Sequence, residues 1–92
     1  MVTAIILLNV ERRKINDVAQ QLADMKDVSE VFSVSGNYDL VAIVRVKTND
    51  DLSEFVTNHL ATIEAVEKTN TMLAFKAYSK YDLESMFSIG SS

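Results

Sequence analysis

The spacing of hydrophobic positions changes several times along the chain, and each change marks an element. Residues 2–10, VTAIILLNV, form an apolar, β-rich run too short for a typical helix and predict a first strand. Ile15, Val18, Ala19 and Leu22 then recur at helical spacing, and Met25 extends the stripe. That pattern predicts an amphipathic helix over about 12–24. Its start is weakly signalled: Glu11 suits a first turn, but Arg12 and Arg13 oppose the helix dipole there. Residues 29–35, SEVFSVS, predict a second strand and residues 39–47, DLVAIVRVK, a third. Between them Gly36-Asn37 reads as a turn, because both residue types tolerate positive φ. Strands joined so closely form an antiparallel hairpin. Thr48-Asn49-Asp50-Asp51 is a strong helix start, with side chains that cap free N–H groups and carboxylates that match the dipole. The helix it opens runs over about 50–63 and buries Leu52, Phe55, Val56, Leu60 and Ile63. Residues 67–78, EKTNTMLAFKAY, predict the fourth strand. Tyr81 to Phe87 could add one or two helical turns, and Gly90-Ser91-Ser92 reads as a frayed end.

The order strand, helix, strand, strand, helix, strand is a doubled β-α-β unit. The halves echo each other: Met25-Lys26-Asp27-Val28 leads into the second strand much as Ile63-Glu64-Ala65-Val66 leads into the fourth. The fold class expected is α+β, ferredoxin-like βαββαβ, with a four-stranded antiparallel sheet and a short C-terminal helix. Right-handed crossovers place both helices on one face of that sheet. The other face should read polar at every second position if it meets water. It does not. In the third strand Leu40, Ala42, Val44 and Val46 oppose Val41, Ile43 and Arg45, and both sets are largely apolar. In the first, Ile5 and Leu7 oppose Ala4, Ile6 and Leu8; in the fourth, Leu73 and Phe75 oppose Met72, Ala74 and Tyr78. Monomers rarely expose so large an apolar patch. One or two turns of tail helix cannot cover four strands, so sheet-on-sheet dimerisation is the expected solution.

Composition narrows the rest. The chain has 92 residues, enough for one domain. A domain this small usually needs a staple or a partner. It has no Cys and a single His, which excludes disulfides and argues against a zinc centre. The net charge of -4 disfavours direct nucleic-acid binding. No apolar run is long enough to span a bilayer. In the opening MVTAIILLNVERR the apolar stretch precedes the positive charge, the reverse of a signal peptide, so the protein is expected in the cytoplasm with no membrane partner.

Most isolated chemical signals have a plain structural explanation. His59 sits beside apolar positions of the second helix, as a border residue between core and solvent does. Asp50 and Asp51 point in different directions and are explained by capping. Arg12, Arg13 and Lys14 read as a solvated helix edge, and Gly36 belongs to no phosphate loop. Two segments hold more. Ser35-Gly36-Asn37-Tyr38-Asp39-Leu40 places Tyr-Asp directly after a turn that does not require it. Thr69-Asn70-Thr71 places two threonines on one face at the start of the fourth strand.

Together these segments resemble the ligand-binding domain of the Lrp/AsnC family, also called the RAM domain. The resemblance rests on Val31-Phe32-Ser33-Val34-Ser35-Gly36-Asn37-Tyr38-Asp39-Leu40, a V–x–G–x–Y/F–D hairpin. It rests equally on Ile63-Glu64-Ala65-Val66-Glu67-Lys68-Thr69-Asn70-Thr71, an I/L–x–x–V–x–x–T–x–T approach to the last strand. It covers about residues 2–78. It implies a dimeric α+β barrel, often assembled into a ring of dimers, with an amino acid effector bound between dimers and no cofactor. By position, Ser35, Gly36, Asn37, Tyr38 and Asp39 would form one wall of the site. Thr69 and Thr71 would come from an adjacent subunit or line the same cleft. Backbone N–H groups near Gly36 suit a carboxylate and Asp39 suits an ammonium.

Full-length members carry an N-terminal helix-turn-helix domain, whereas this chain begins at the first strand. It is expected to be a stand-alone effector domain, residues 1–78, with a tail, 79–92. It would act without binding DNA itself and could join mixed assemblies with full-length Lrp/AsnC relatives. An origin as a piece of a longer protein is the alternative. Two other function classes stay open: a small dimeric α+β-barrel enzyme of the oxygenase or isomerase type, and a purely structural interaction module.

Overall fold

The computed structural model describes residues 1–78, so the expected tail helix from Tyr81 to Phe87 and the frayed end at Gly90–Ser92 lie outside the described residues. Strand β1 is Val2–Val10, the span its apolar run predicts. A 3₁₀ turn, Arg12–Lys14, leads into helix α1, Ile15–Ala23, with no side-chain cap at either start. Strand β2 is Val28–Ser33 and β3 is Leu40–Val46. Helix α2, Asn49–Glu54, continues as a π-helical segment, Phe55–Leu60, and β4 is Val66–Ala74.

The strands form one antiparallel sheet in the order β2-β3-β1-β4, the ferredoxin-like topology that the element order predicts. Alternation assigns the faces correctly. Ala4, Ile6, Leu8, Val10, Leu40, Ala42, Val44 and Val46 are all buried against the helices, joined by Val18, Leu22, Phe55, Leu60 and Ile63. On the other face Ile5, Leu7, Val41 and Ile43 are only half-buried. Register makes that face continuous: Ile5 lies opposite both Ile43 and Met72, Leu7 opposite Val41, and Val41 opposite Phe32. Phe32 and Met72 keep 47% and 42% of their surface exposed.

The second helix starts where its sequence predicts. The Thr48 Oγ1 accepts a hydrogen bond of 3.1 Å from the Asp51 N–H, and Asp50 and Asp51 occupy the first turn. Its second half departs from the regular helix expected over 50–63. The Ala61 N–H reaches the Val56 carbonyl, five residues back. In an α-helix, residues five apart diverge by about 140° around the axis. Wider π winding brings Phe55 and Leu60 to the same side, and both are buried.

Three more boundaries differ. The connection between β2 and β3 spans residues 34–39 and is closed by the Val34 N–H on the Asp39 carbonyl at 3.0 Å. Only Gly36, at φ 108°, uses positive φ there; Asn37 does not. Strand β4 stops at Ala74, short of the expected 78, because its partner β1 ends: Ala74 pairs with Thr3 near the start of that strand.

The helices cover the sheet unevenly. Helix α1 packs on β2 and β3, and α2 packs on β1 and β3. Every β4 residue between Val66 and Ala74 is exposed, including Thr69, Thr71 and Leu73 on the helix side. Within the core, Leu8 is fully buried at the centre of three paired strands. Leu8→Ala is expected to cost about 2–5 kcal/mol. Urea denaturation should show a lower midpoint with an unchanged slope.

Candidate functional site

Antiparallel pairing brings the two singled-out segments to the same end of the sheet. Leu40, Leu8 and Thr69 share one row across β3, β1 and β4, and Ala42, Ile6 and Thr71 share the row two residues further in. The hairpin turn caps this end. The turn and Thr69 are therefore separated by β1 alone, about 10 Å or two strand spacings.

The turn is anchored to the end of β1 by contacts distant in sequence. The Asp39 N–H donates to the Leu8 carbonyl at 2.9 Å. The Asp39 Oδ2 accepts from the Val10 N–H at 2.9 Å. The last paired residues of β1 and β3 are Leu8 and Leu40. The carboxylate therefore extends the ladder one step by standing in for a strand carbonyl. It does so where β1 bulges against β4, between Asn9 and Val10. The Asn9 Nδ2 donates to the Asn37 carbonyl at 2.8 Å. Nothing in the sequence beyond a polar residue inside an apolar strand singles out Asn9 as the clamp. Ser35, Gly36 and Asn37 are exposed, while Tyr38 and Asp39 are half-buried. The remaining Asp39 oxygen, Oδ1, takes part in no described side-chain hydrogen bond.

Within one chain the two segments meet different faces. Asn9 alternates with Leu8 and Val10, so it points to the open face, and it holds the turn from that side. Thr69 and Thr71 lie opposite the buried Leu8 and Ile6 and so face the helix side. Two shallow clefts run between β4 and the second helix. One, of about 410 Å³, takes in Thr71 with Leu52, Val56 and Leu73; the other, of about 210 Å³, takes in Thr69 with Leu60 and Ile63. Neither includes the turn. A larger cleft of about 710 Å³ lies at the opposite end of the sheet and contains His59, which by sequence reads only as a border residue.

Among the described residues no polar or charged residue is buried, and no group of three or more His, Cys, Asp or Glu is placed to hold a metal ion. No helix among them is long and apolar enough to cross a membrane.

Comparison with known proteins points in one direction. The model of the Lrp/AsnC ligand binding domain matches residues 3–83. The HTH-type transcriptional regulator FL11 of Pyrococcus furiosus is 33% identical over 79 residues, which are 86% of this chain and 52% of that protein. The chain thus spans about half the length of the curated relatives it matches. The crystal structure of TTHA0845 from Thermus thermophilus is 40% identical, superposes with a TM-score of 0.81, and is covered over 100% of its chain by 87% of this one. A transcriptional regulator of Neisseria meningitidis, NMB0573, solved as an L-Met complex, shares the fold at a TM-score of 0.78 with 18% identity, over 85% of this chain and 52% of that one.

The Asp39 geometry separates two substitutions. Asp39→Ala leaves the Val10 N–H without its acceptor and should cost about 1–3 kcal/mol of stability in urea denaturation. Asp39→Asn keeps an oxygen acceptor and should cost less than half as much. Gly36→Ala meets no atom within 4 Å but forces a side chain into positive φ, and should cost about 1 kcal/mol in the same measurement.

Proposed function

The chain belongs to the Lrp/AsnC ligand-binding domain family, and on that premise we propose that it is a stand-alone module that binds an amino acid effector and assembles through its open sheet face. In this reading residues 1–78 form the module and 79–92 a tail. It adjusts transcription or amino acid metabolism through assembly with its own copies or with full-length relatives, and it does not itself bind DNA.

The observation that carries the proposal is the placement of the hairpin turn and Thr69 at one end of the sheet on opposite faces. A single chain leaves the two halves of such a site apart. A second chain brought against that end could complete it, with Ser35–Asp39 from one subunit and Thr69 and Thr71 from another. The Asp39 Oδ1 is the oxygen left to receive an ammonium, and the exposed backbone around Gly36 suits a carboxylate. The continuous apolar face supports the assembly. Full burial of Ile5, Leu7, Val41 and Ile43 in a sheet-on-sheet dimer would gain about 0.5 kcal/mol for each, since most of each is already covered. Phe32 and Met72 would add more.

Other features agree. The net charge of -4 suits a module that leaves DNA contact to others. The complete coverage of TTHA0845 supports a domain that exists at this length. Relatives that regulate transcription support a cytoplasmic location. An enzyme of the α+β-barrel type would be expected to withdraw a titratable group from water. Among the described residues no titratable group is fully withdrawn, Tyr38 and Asp39 being half-buried at the turn, and this favours the binding module.

Two measurements test this reading. Calorimetry against the common amino acids, beginning with L-methionine, should give saturable heat together with a change in assembly size by light scattering. Asp39→Asn should weaken that binding about tenfold or more while the dimer persists. Ile43→Asp places a charge at the centre of the open face. It should weaken self-association at least about 100-fold and abolish effector binding with it. An Ile43→Asp monomer that still binds amino acid at full strength would show that the site needs no second chain.

A further inference from the structure

The helices leave β4 bare, and the gap beside it is a groove of about 410 Å³. One side of the second helix lines it with Leu52, Ser53, Val56 and Thr57, which recur at helical spacing. Strand β4 lines it with Thr71 and Leu73. Leu52 and Val56 are half-buried, and Leu73 keeps 45% of its surface exposed. No lining residue is charged. The groove therefore suits an apolar occupant with a polar outer side.

The chain itself supplies a segment of that character. Residues 79–92 follow the last described residue, Tyr78. Their sequence predicts a short helix. Ser79 and Asp82 have the spacing of a capping box. Leu83, Met86 and Phe87 have the spacing of one helical face, and Glu84, Ser85 and Ser88 fall on the opposite side. Gly90 suits the stop. The family match ends at residue 83, so most of this stripe lies beyond it. The distances allow a return to the groove. Leu73 and Tyr78 are five residues apart and stand within about 18 Å of each other. Two extended residues followed by a helix as far as Phe87 span about 17 Å.

We propose that the C-terminal segment docks in the groove between β4 and the second helix, with Leu83, Met86 and Phe87 against Leu52, Val56 and Leu73. The occupant is the chain's own tail. A short tether presents it at an effective concentration on the order of millimolar, which the tail of a second copy does not match in dilute solution. The contact lies on the helix side of the sheet and leaves the open face free. It shares Thr71 with the proposed effector site but needs none of Ser35–Asp39, so it stands whether or not the turn binds an effector.

The chain contains no Trp, so Phe87→Trp in the full chain gives a sole fluorescent reporter on the stripe. Leu73→Asp puts a charge into the groove at an exposed position. Thr57→Glu does the same from the helix and serves if Leu73→Asp lacks a cooperative urea transition. Acrylamide should quench the Phe87→Trp indole about threefold or more weakly than the same indole combined with either groove variant, at every protein concentration. Ser85→Trp, on the opposite side, should be quenched strongly in all of these backgrounds. The proposal is overturned if Phe87→Trp and Ser85→Trp are quenched alike. It is overturned too if protection fades on dilution, which would assign the tail to a second copy. Protection lost in Ile43→Asp and kept in both groove variants would place the tail on the open face and overturn it equally.

Discussion

The central position of β1 is the constraint on which the rest of the molecule depends. It is hydrogen-bonded on both sides, to β3 and to β4, and it is apolar on both faces. Its buried side chains, Ala4, Ile6, Leu8 and Val10, set the rows into which the neighbouring strands must fall. A slip of one residue would turn that set toward the open face and expose it, so the register is strongly specified. Once Leu8 is fixed between Leu40 and Thr69, the hairpin turn and the threonines have no choice of position. They come to the same end, on either side of β1.

The same constraint makes Asp39 an anchor of the backbone. One carboxylate oxygen completes the β1 ladder through Val10, and the other takes part in no described side-chain hydrogen bond. A residue that by sequence reads as a ligand contact is in the structure a backbone anchor, so a substitution that keeps the acceptor disturbs the turn least. Asn9 belongs to the same arrangement, since it holds the turn from the open face. One short stretch of β1 thus serves two features: its side chains form part of the open face, and its end supports the turn.

The helices shape the remainder by what they leave uncovered. They pack over β1, β2 and β3, so β4 stays exposed on both faces and offers Thr69, Thr71 and Leu73 beside the second helix. π winding of the segment Phe55–Leu60 keeps two large side chains in the core five residues apart. It also carries His59, which lines the cleft at the other end. The two ends of the sheet therefore differ in character. One carries the Gly36 turn and the exposed hydroxyl groups of Thr69 and Thr71, and the other a cleft lined by residues of the second helix, the turn after α1 and the end of β3.

The sequence by itself determined the features that depend on neighbours along the chain. Alternation in LVAIVRV assigned both faces of β3, the 3.6-residue stripe located α1, and Thr48-Asn49-Asp50-Asp51 placed the start of α2, because period and capping are local. The paired motifs were legible as well, and with them the family. Only the tertiary structure decided which ends and faces meet. The contacts from Asp39 to Val10 and from Asn9 to Asn37 join residues 29 and 28 positions apart, and no local pattern encodes them. The extent of β4, the π winding and the far cleft were equally hidden. Each is set by where a partner strand stops, by which side chains the core has room to take, or by which residues separate elements bring to one end of the sheet.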